Sequence, residues 1–170
     1  MAPLSDTFEL GRLGLTSGEG RRLELSVRLG ELVLGAQEYA APGETPVVLD
    51  VSRTTAGWAL RLRFEAELDG PCMRCLEPAG HGLAVDAREV DQPGGGEDLA
   101  CPYLEDDVLD LAAWARDALA LALPAQIACR DDCRGLCPIC GENLNRAGDE
   151  HEHESEPDPR WAKLSEIRFD

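Results

Sequence analysis

Six of the seven cysteines fall in two clusters, and their spacing constrains the fold more than any other feature of the chain. Cys72-Met-Arg-Cys75 is one cluster; Cys129-Arg-Asp-Asp-Cys133-Arg-Gly-Leu-Cys137-Pro-Ile-Cys140-Gly141 is the other. A Cys-x-x-Cys turn brings two thiolates onto one ion while backbone N–H groups point at the sulfurs. In the Cys-Pro-x-Cys-Gly version, glycine supplies the positive φ that closes the turn. Two such knuckles complete a tetrahedral site, so a structural Zn²⁺ is the expected cofactor. Two allotments are open: Cys72, Cys75, Cys137 and Cys140 around one ion, or the local set Cys129, Cys133, Cys137 and Cys140. The first is preferred, because paired two-residue knuckles are the zinc-ribbon pattern and a three-residue gap is less usual outside helices. Cys129 and Cys133 are then left to join His151 and His153 in a second candidate set.

The compartment matters for this reading. The amino terminus, Met1-Ala-Pro-Leu-Ser-Asp6, has neither the basic region nor the apolar stretch of a secretory signal, and no apolar run approaches a membrane span. A cytoplasmic protein is expected, where clustered thiols serve metal binding or redox work rather than disulfides. Cys101 stands apart and reads as a small buried residue.

Sixteen basic against 33 acidic side chains give a net charge of −17, a field that repels a phosphate backbone. Direct binding of naked RNA is therefore disfavoured, and a basic protein partner fits better. Nothing suggests a membrane partner or a small-molecule substrate.

Strand periodicity dominates the first half. Leu23, Leu25, Val27 and Leu29 alternate with polar neighbours, and a bulge or turn is expected at Gly30-Glu31. Val47 to Val51 is a further apolar run. Trp58, Leu60, Leu62, Phe64, Ala66 and Leu68 then alternate over eleven residues before Asp69-Gly70-Pro71, which is expected to break the strand. Leu83, Val85 and Ala87 resume the alternation, placing the first Cys pair at the tip of an antiparallel hairpin. After the glycine-rich connector 91–98, Asp106 and Asp107 are expected to cap a helix over about residues 107 to 123, stopped by Pro124, with Trp114 packed near its apolar stripe. The expected fold is α+β: an antiparallel sheet covered by one main helix, with a Cys-rich zinc-knuckle segment and an acidic tail. Residues 1–141 are read as one domain. Residues 142–170 are read as an acidic, partly disordered tail with a short terminal helix around Trp161, Leu164 and Ile167.

No catalytic residue is identified. Gly94-Gly-Gly96 lacks the helix and lysine of a phosphate loop, and His81, just beyond the hairpin turn, reads as an ordinary surface histidine, so a hydrolytic triad has no support. Thiol oxidoreduction, or a redox-sensing switch using the Cys-x-x-Cys pairs, is the alternative. It normally needs the pair at the start of a helix, where Pro71 and the hairpin pattern predict a turn. An iron–sulfur cluster also fits four cysteines, without the tight repeated spacing of ferredoxins.

Several segments together carry a resemblance. These are Cys72-Met-Arg-Cys75-Leu-Glu-Pro78, the helix end Leu119-Ala-Leu-Ala-Leu-Pro124, Cys133-Arg-Gly-Leu-Cys137-Pro-Ile-Cys140-Gly141 with Asn143-Leu-Asn145, and Asp158-Pro-Arg-Trp-Ala-Lys-Leu164. In this order they resemble the YceD family, whose members are called large ribosomal RNA subunit accumulation proteins. In other members of this type the tail commonly carries Cys-x-Cys where this chain has His151-Glu-His153. The resemblance implies a role in ribosome biogenesis and no enzymatic activity. With the charge, it implies contact with a basic ribosomal protein or the precursor particle of the large subunit. If RNA is touched, Arg74, Arg130 and Arg134 beside the knuckles are the expected contacts.

Overall fold

The computed structural model describes residues 2–34, 37–41, 43–96, 99–148 and 151–153. Strands β1 (Thr7–Glu9), β2 (Gly20–Val27), β3 (Glu31–Leu34), β4 (Gln37–Ala40), β5 (Thr45–Arg53), β6 (Trp58–Pro71), β7 (Pro78–Asp91), β8 (Leu104–Glu105) and β9 (Val108–Asp110) precede helix α1 (Leu111–Leu121). The main sheet runs β2-β5-β6-β4-β3, with β7 on the opposite edge of β6, and all its strand pairs are antiparallel. A small sheet, β1-β9-β8, lies beside the helix. No helix among the described residues is long and apolar enough to cross a membrane.

Alternation decides which face is covered. Trp58, Leu60, Leu62, Phe64, Ala66 and Leu68 all point into the core, where Leu111, Trp114, Ala115, Ala118 and Leu119 of α1 are also buried. The β6–β7 hairpin is the longest element, pairing without interruption from Trp58↔Asp91 to Pro71↔Pro78. Because β5 pairs with β6 only as far as Phe64, the hairpin runs on for eight residues, roughly 26 Å, and carries Cys72 to Cys75 at its tip.

Two local expectations need correction. Asp69-Gly70-Pro71 does not break the strand, because Gly70 remains in register with Ala79 beneath the buried ring of Tyr39. A Cβ at Gly70 would stand 2.3 Å from that ring, and the Tyr39 hydroxyl donates to the Pro71 carbonyl at 2.8 Å. Gly70→Ala therefore forces overpacking: a loss of about 2 kcal/mol is expected, lowering Tm by about 4–8 °C in a melting experiment.

The helix begins at Leu111, four residues later than about 107. Asp110 caps it, accepting from the Ala113 N–H at 2.9 Å. Asp106 and Asp107 instead form the two-residue turn between β8 and β9, with φ of 49° and 61°. Aspartate tolerates this left-handed region, and such hairpin turns require it. There the Asp107 carboxylate accepts from the Trp58 indole N–H at 2.7 Å, a link across 49 residues. The terminal segment with Trp161, Leu164 and Ile167 lies outside the described residues, as does most of the acidic tail.

Candidate metal centres

Both knuckles fold by the same hydrogen bonds. In the first, the Cys72 N–H donates to the Glu77 carbonyl at 2.7 Å and the Leu76 N–H to the Cys72 carbonyl at 3.0 Å. In the second, the Cys137 N–H donates to the Glu142 carbonyl and the Gly141 N–H to the Cys137 carbonyl, each at 2.8 Å. The residue after the second cysteine is left-handed in both: Leu76 at φ 61° and Gly141 at φ 75°. Only the second knuckle has glycine there. Leu76 is over half exposed, so Leu76→Gly relieves the strain without opening a cavity, and a gain of about 0.5–1 kcal/mol in urea unfolding is expected.

The preferred cross-pairing of the two knuckles is not what the structure assembles. Cys72 and Cys75 meet Cys129 and Cys133, while Cys137 and Cys140 meet His151 and His153; within each set the ligand atoms lie within 4.8 Å of one another. The local four-cysteine alternative is not assembled either. The reason is the path of the chain after α1. The Met73 N–H donates to the Ile127 carbonyl at 2.8 Å and the Leu136 N–H to the Arg74 carbonyl at 3.1 Å, so residues 127–136 cross the hairpin tip. Cys129 and Cys133 are thereby laid against the first knuckle. Gly135, at φ 78° with the Arg74 carbonyl 3.1 Å from where a Cβ would sit, then carries the chain onward to form the second knuckle.

The first set is well shaped for a tetrahedral ion. The Cys72–Cys133 and Cys75–Cys129 sulfurs are 3.8 and 3.6 Å apart. A tetrahedron with metal–sulfur bonds of about 2.3 Å has edges of about 3.8 Å. Three of its cysteines are buried and Cys129 is exposed. The Arg74 N–H and the Asn145 amide both point at ligand sulfurs, Cys72 at 3.4 Å and Cys133 at 3.5 Å.

The second set is more open. Cys140 Sγ is 3.5 Å from His151 Nε2, which is 3.0 Å from His153 Nε2. His151 Nδ1 lies 3.2 Å from the Glu142 carboxylate, the outer contact that fixes the ring so that Nε2 faces the ligand cluster. Either set could hold one metal ion.

The sequence of residues 60–168 matches the family model YceD, described as large ribosomal RNA subunit accumulation protein. The chain belongs to this family. It is similar to uncharacterized proteins of Mycobacterium tuberculosis and Mycobacterium bovis, each 39% identical over 172 residues, covering 95% of this chain and 80% of theirs. It is also similar to a maize protein named large ribosomal RNA subunit accumulation protein YCED homolog 1, chloroplastic. That protein is 26% identical over 171 residues, covering 80% of this chain and 57% of its own length. No solved structure matches the chain.

In this YceD-family chain the proton balance of the first set has a physical cause. Four sulfurs this close cannot all ionise without a cation among them. For Cys72, burial opposes ionisation, but backbone N–H groups of Cys75, Arg74 and Cys129 outweigh it and lower the thiol to about 6. Cys133 is lowered chiefly by the Asn145 amide. Cys129 is driven up to about 12, first by desolvation and then by its neighbouring sulfurs, and Cys75 is raised. Without a metal, ionisation of the set thus falls first on Cys72 and Cys133 and is opposed at Cys75 and Cys129. A divalent ion entering at pH 7 is expected to expel protons from this set, those of Cys75 and Cys129 above all, readable from calorimetric titrations in buffers of differing ionisation enthalpy. Cys137 is also lowered to about 6, mainly by the Cys140 N–H and then by His151.

Asn143, Asn145, Glu77 and Glu142 carry roles the sequence reading did not assign. Asn145 accepts from the Arg134 N–H and the Arg130 guanidinium at 2.8 Å each and donates to Asn143. Glu77 pairs with Arg146 at 2.8 Å. Residues 142–148 and 151–153, on the tail side of the boundary drawn at 141, are tied to the knuckles by these contacts. A signal was present: both knuckles read Cys-x-x-Cys-x-Glu, two equivalent half-sites that each need a separate pair of partners. Cys101 lies apart, buried, and its thiol is raised by desolvation. His81 sits in β7 opposite Leu68.

Proposed function

We propose that this chain is a non-catalytic ribosome-biogenesis factor that supports accumulation of large-subunit ribosomal RNA, acting in the cytoplasm with two structural Zn²⁺ ions. The observation that carries the reading is membership of a family described by that RNA, joined to the closure of both ligand sets. A catalytic zinc keeps a coordination position open for water or substrate, whereas four protein ligands around each centre favour a structural role. Zinc fits better than harder ions because the donors are thiolate and imidazole.

A redox role has less support. Cys72 and Cys75 sit in a hairpin turn rather than at the start of a helix, and each sulfur faces a cysteine of the other pair.

The net charge of −17 favours a basic ribosomal protein, or the protein-coated precursor particle, as the docking partner. Affinity purification from growing cells, with the bound proteins and RNA identified, tests this. Recovery of large-subunit precursors supports the reading; recovery of metabolic enzymes without ribosomal material removes it.

A further inference from the structure

The arginines beside the knuckles were the expected RNA contacts, yet charge there is balanced. Arg74, Arg130, Arg134 and Arg146 stand among Glu77, Asp131, Asp132 and Glu142, with Arg130 paired to Asp132 and Arg146 to Glu77. Four thiolates around a divalent ion add two further negative charges, which Arg74, Arg130 and Arg134, adjacent in sequence to the ligands, are placed to offset.

A different surface has an excess of cations. On the solvent face of the main sheet, Arg22 of β2, Asp50 of β5, Arg61 of β6 and Arg88 of β7 form one cross-strand row. Arg63 and Asp86 form part of the next row. The two carboxylates hold the guanidiniums in place. Asp50 accepts from Arg22 Nε at 2.6 Å and Arg63 Nη2 at 2.7 Å. Asp86 accepts from Arg61 at 2.8 and 2.5 Å, with Arg88 4.0 Å away. The first row, three guanidiniums and one carboxylate, carries a local charge of +2 on a molecule of −17, while Glu24 joins Arg63 and Asp86 in the next row and turns its balance to −1. Arg22 and Arg88 side chains remain 63% and 71% exposed, so most of their N–H donors are unspent. Glu24, Glu65 and Glu67 on the same face confine the excess to the end away from the knuckles, roughly 30–36 Å along β6 from Cys72.

We propose that this arginine lattice is the surface that meets the phosphodiester backbone of ribosomal RNA. The inference rests on the ribosome-biogenesis reading and names where the nucleic acid is touched. Three arguments select a phosphate backbone. Guanidinium forks match phosphate oxygens bidentately. A row about 14 Å long across four strands follows an extended polyanion better than a point ligand. At physiological ionic strength the screening length is about 8 Å, so the lattice acts at contact range while the distant acidic groups are damped. The whole-molecule field still slows encounter with free RNA, and a factor already delivered to a particle by a protein contact escapes that penalty.

The test uses the full chain with its metal, a labelled 20-nucleotide single-stranded RNA, and poly-glutamate as a competitor representing an acidic protein. Arg61→Gln with Arg88→Gln is expected to weaken RNA binding about tenfold and to reduce the slope of log affinity against log salt by about 1.4, with unchanged metal content and Tm. Arg74→Gln with Arg134→Gln is expected to leave binding within about twofold. The proposal is overturned if the wild type binds no RNA, if the knuckle variant alone loses binding, or if poly-glutamate competes with RNA on an equal charge basis. Sedimentation with large-subunit precursors separates the two readings: a wild type that travels with the particle but fails the RNA assay sinks only this surface, whereas absence from the particle sinks the ribosomal role.

Discussion

Cys133→Ser is expected to abolish metal binding at the first ligand set and to cost on the order of 4 kcal/mol or more, lowering Tm by about 8–16 °C. The magnitude follows from position. Cys133 is buried, takes a hydrogen bond from the Asn145 amide, and belongs to the segment that crosses the hairpin tip. Losing its thiolate leaves three sulfurs where the geometry offers four to one ion. The tip of β6–β7 extends past β5, and there Tyr39, Ile127 and the buried cysteines close the core cluster, so disturbing the ligand set disturbs that end of the core. Elemental analysis together with thermal melting reads both effects. Full metal content with an unchanged Tm refutes the placement of Cys133 among the ligands. Cys101→Ser is the matched control: also buried but remote from both sets, it is expected to keep two ions.

What the sequence made legible was whatever depended on local periodicity. Trp58 to Leu68 alternates because one face of β6 is core and the other is solvent, and that contrast is written residue by residue. The hairpin tip followed from the same pattern resuming at Leu83. The errors came where two local signals competed. Asp106, Asp107 and Asp110 are all chemically fit to cap a helix; which one does so depends on the β8–β9 turn and on the long-range hydrogen bond from Trp58. Gly70-Pro71 resembles a strand break until Tyr39, brought in by β4, lies over it.

The ligand partition was the hardest inference because spacing identifies half-sites and leaves their partners open. The eight residues were visible in the chain, and so was the repeated Cys-x-x-Cys-x-Glu. The backbone crossing at Ile127, Gly135 and Leu136, which hands Cys129 and Cys133 to the first knuckle, has no signature in cysteine spacing. A three-residue gap served as well as a two-residue one because these two cysteines arrive on an irregular segment free to match its sulfurs to a preformed knuckle.

Two separate centres and one shared centre differ sharply in what substitutions do together. If the knuckles shared an ion, Cys72→Ser and Cys140→Ser would abolish the same site, and the double variant would lose no more metal than either single one. The structure places them in different ligand sets. Each single variant is therefore expected to retain one zinc, and the double variant none. Their stabilities should also differ. Cys72 is fully buried, and its loss belongs in the class of several kcal/mol, whereas Cys140 is exposed and its site closes only the segment reaching His151 and His153, so a cost of about 1–2 kcal/mol is expected. Glu142→Gln adds an independent reading. It keeps all eight ligands but weakens the hold on the His151 ring, so zinc affinity at the second centre should fall about tenfold while the first is unchanged. Competition with a chromophoric chelator resolves the two affinities. A double variant that loses no more metal than Cys140→Ser alone would show that the knuckles share a centre after all.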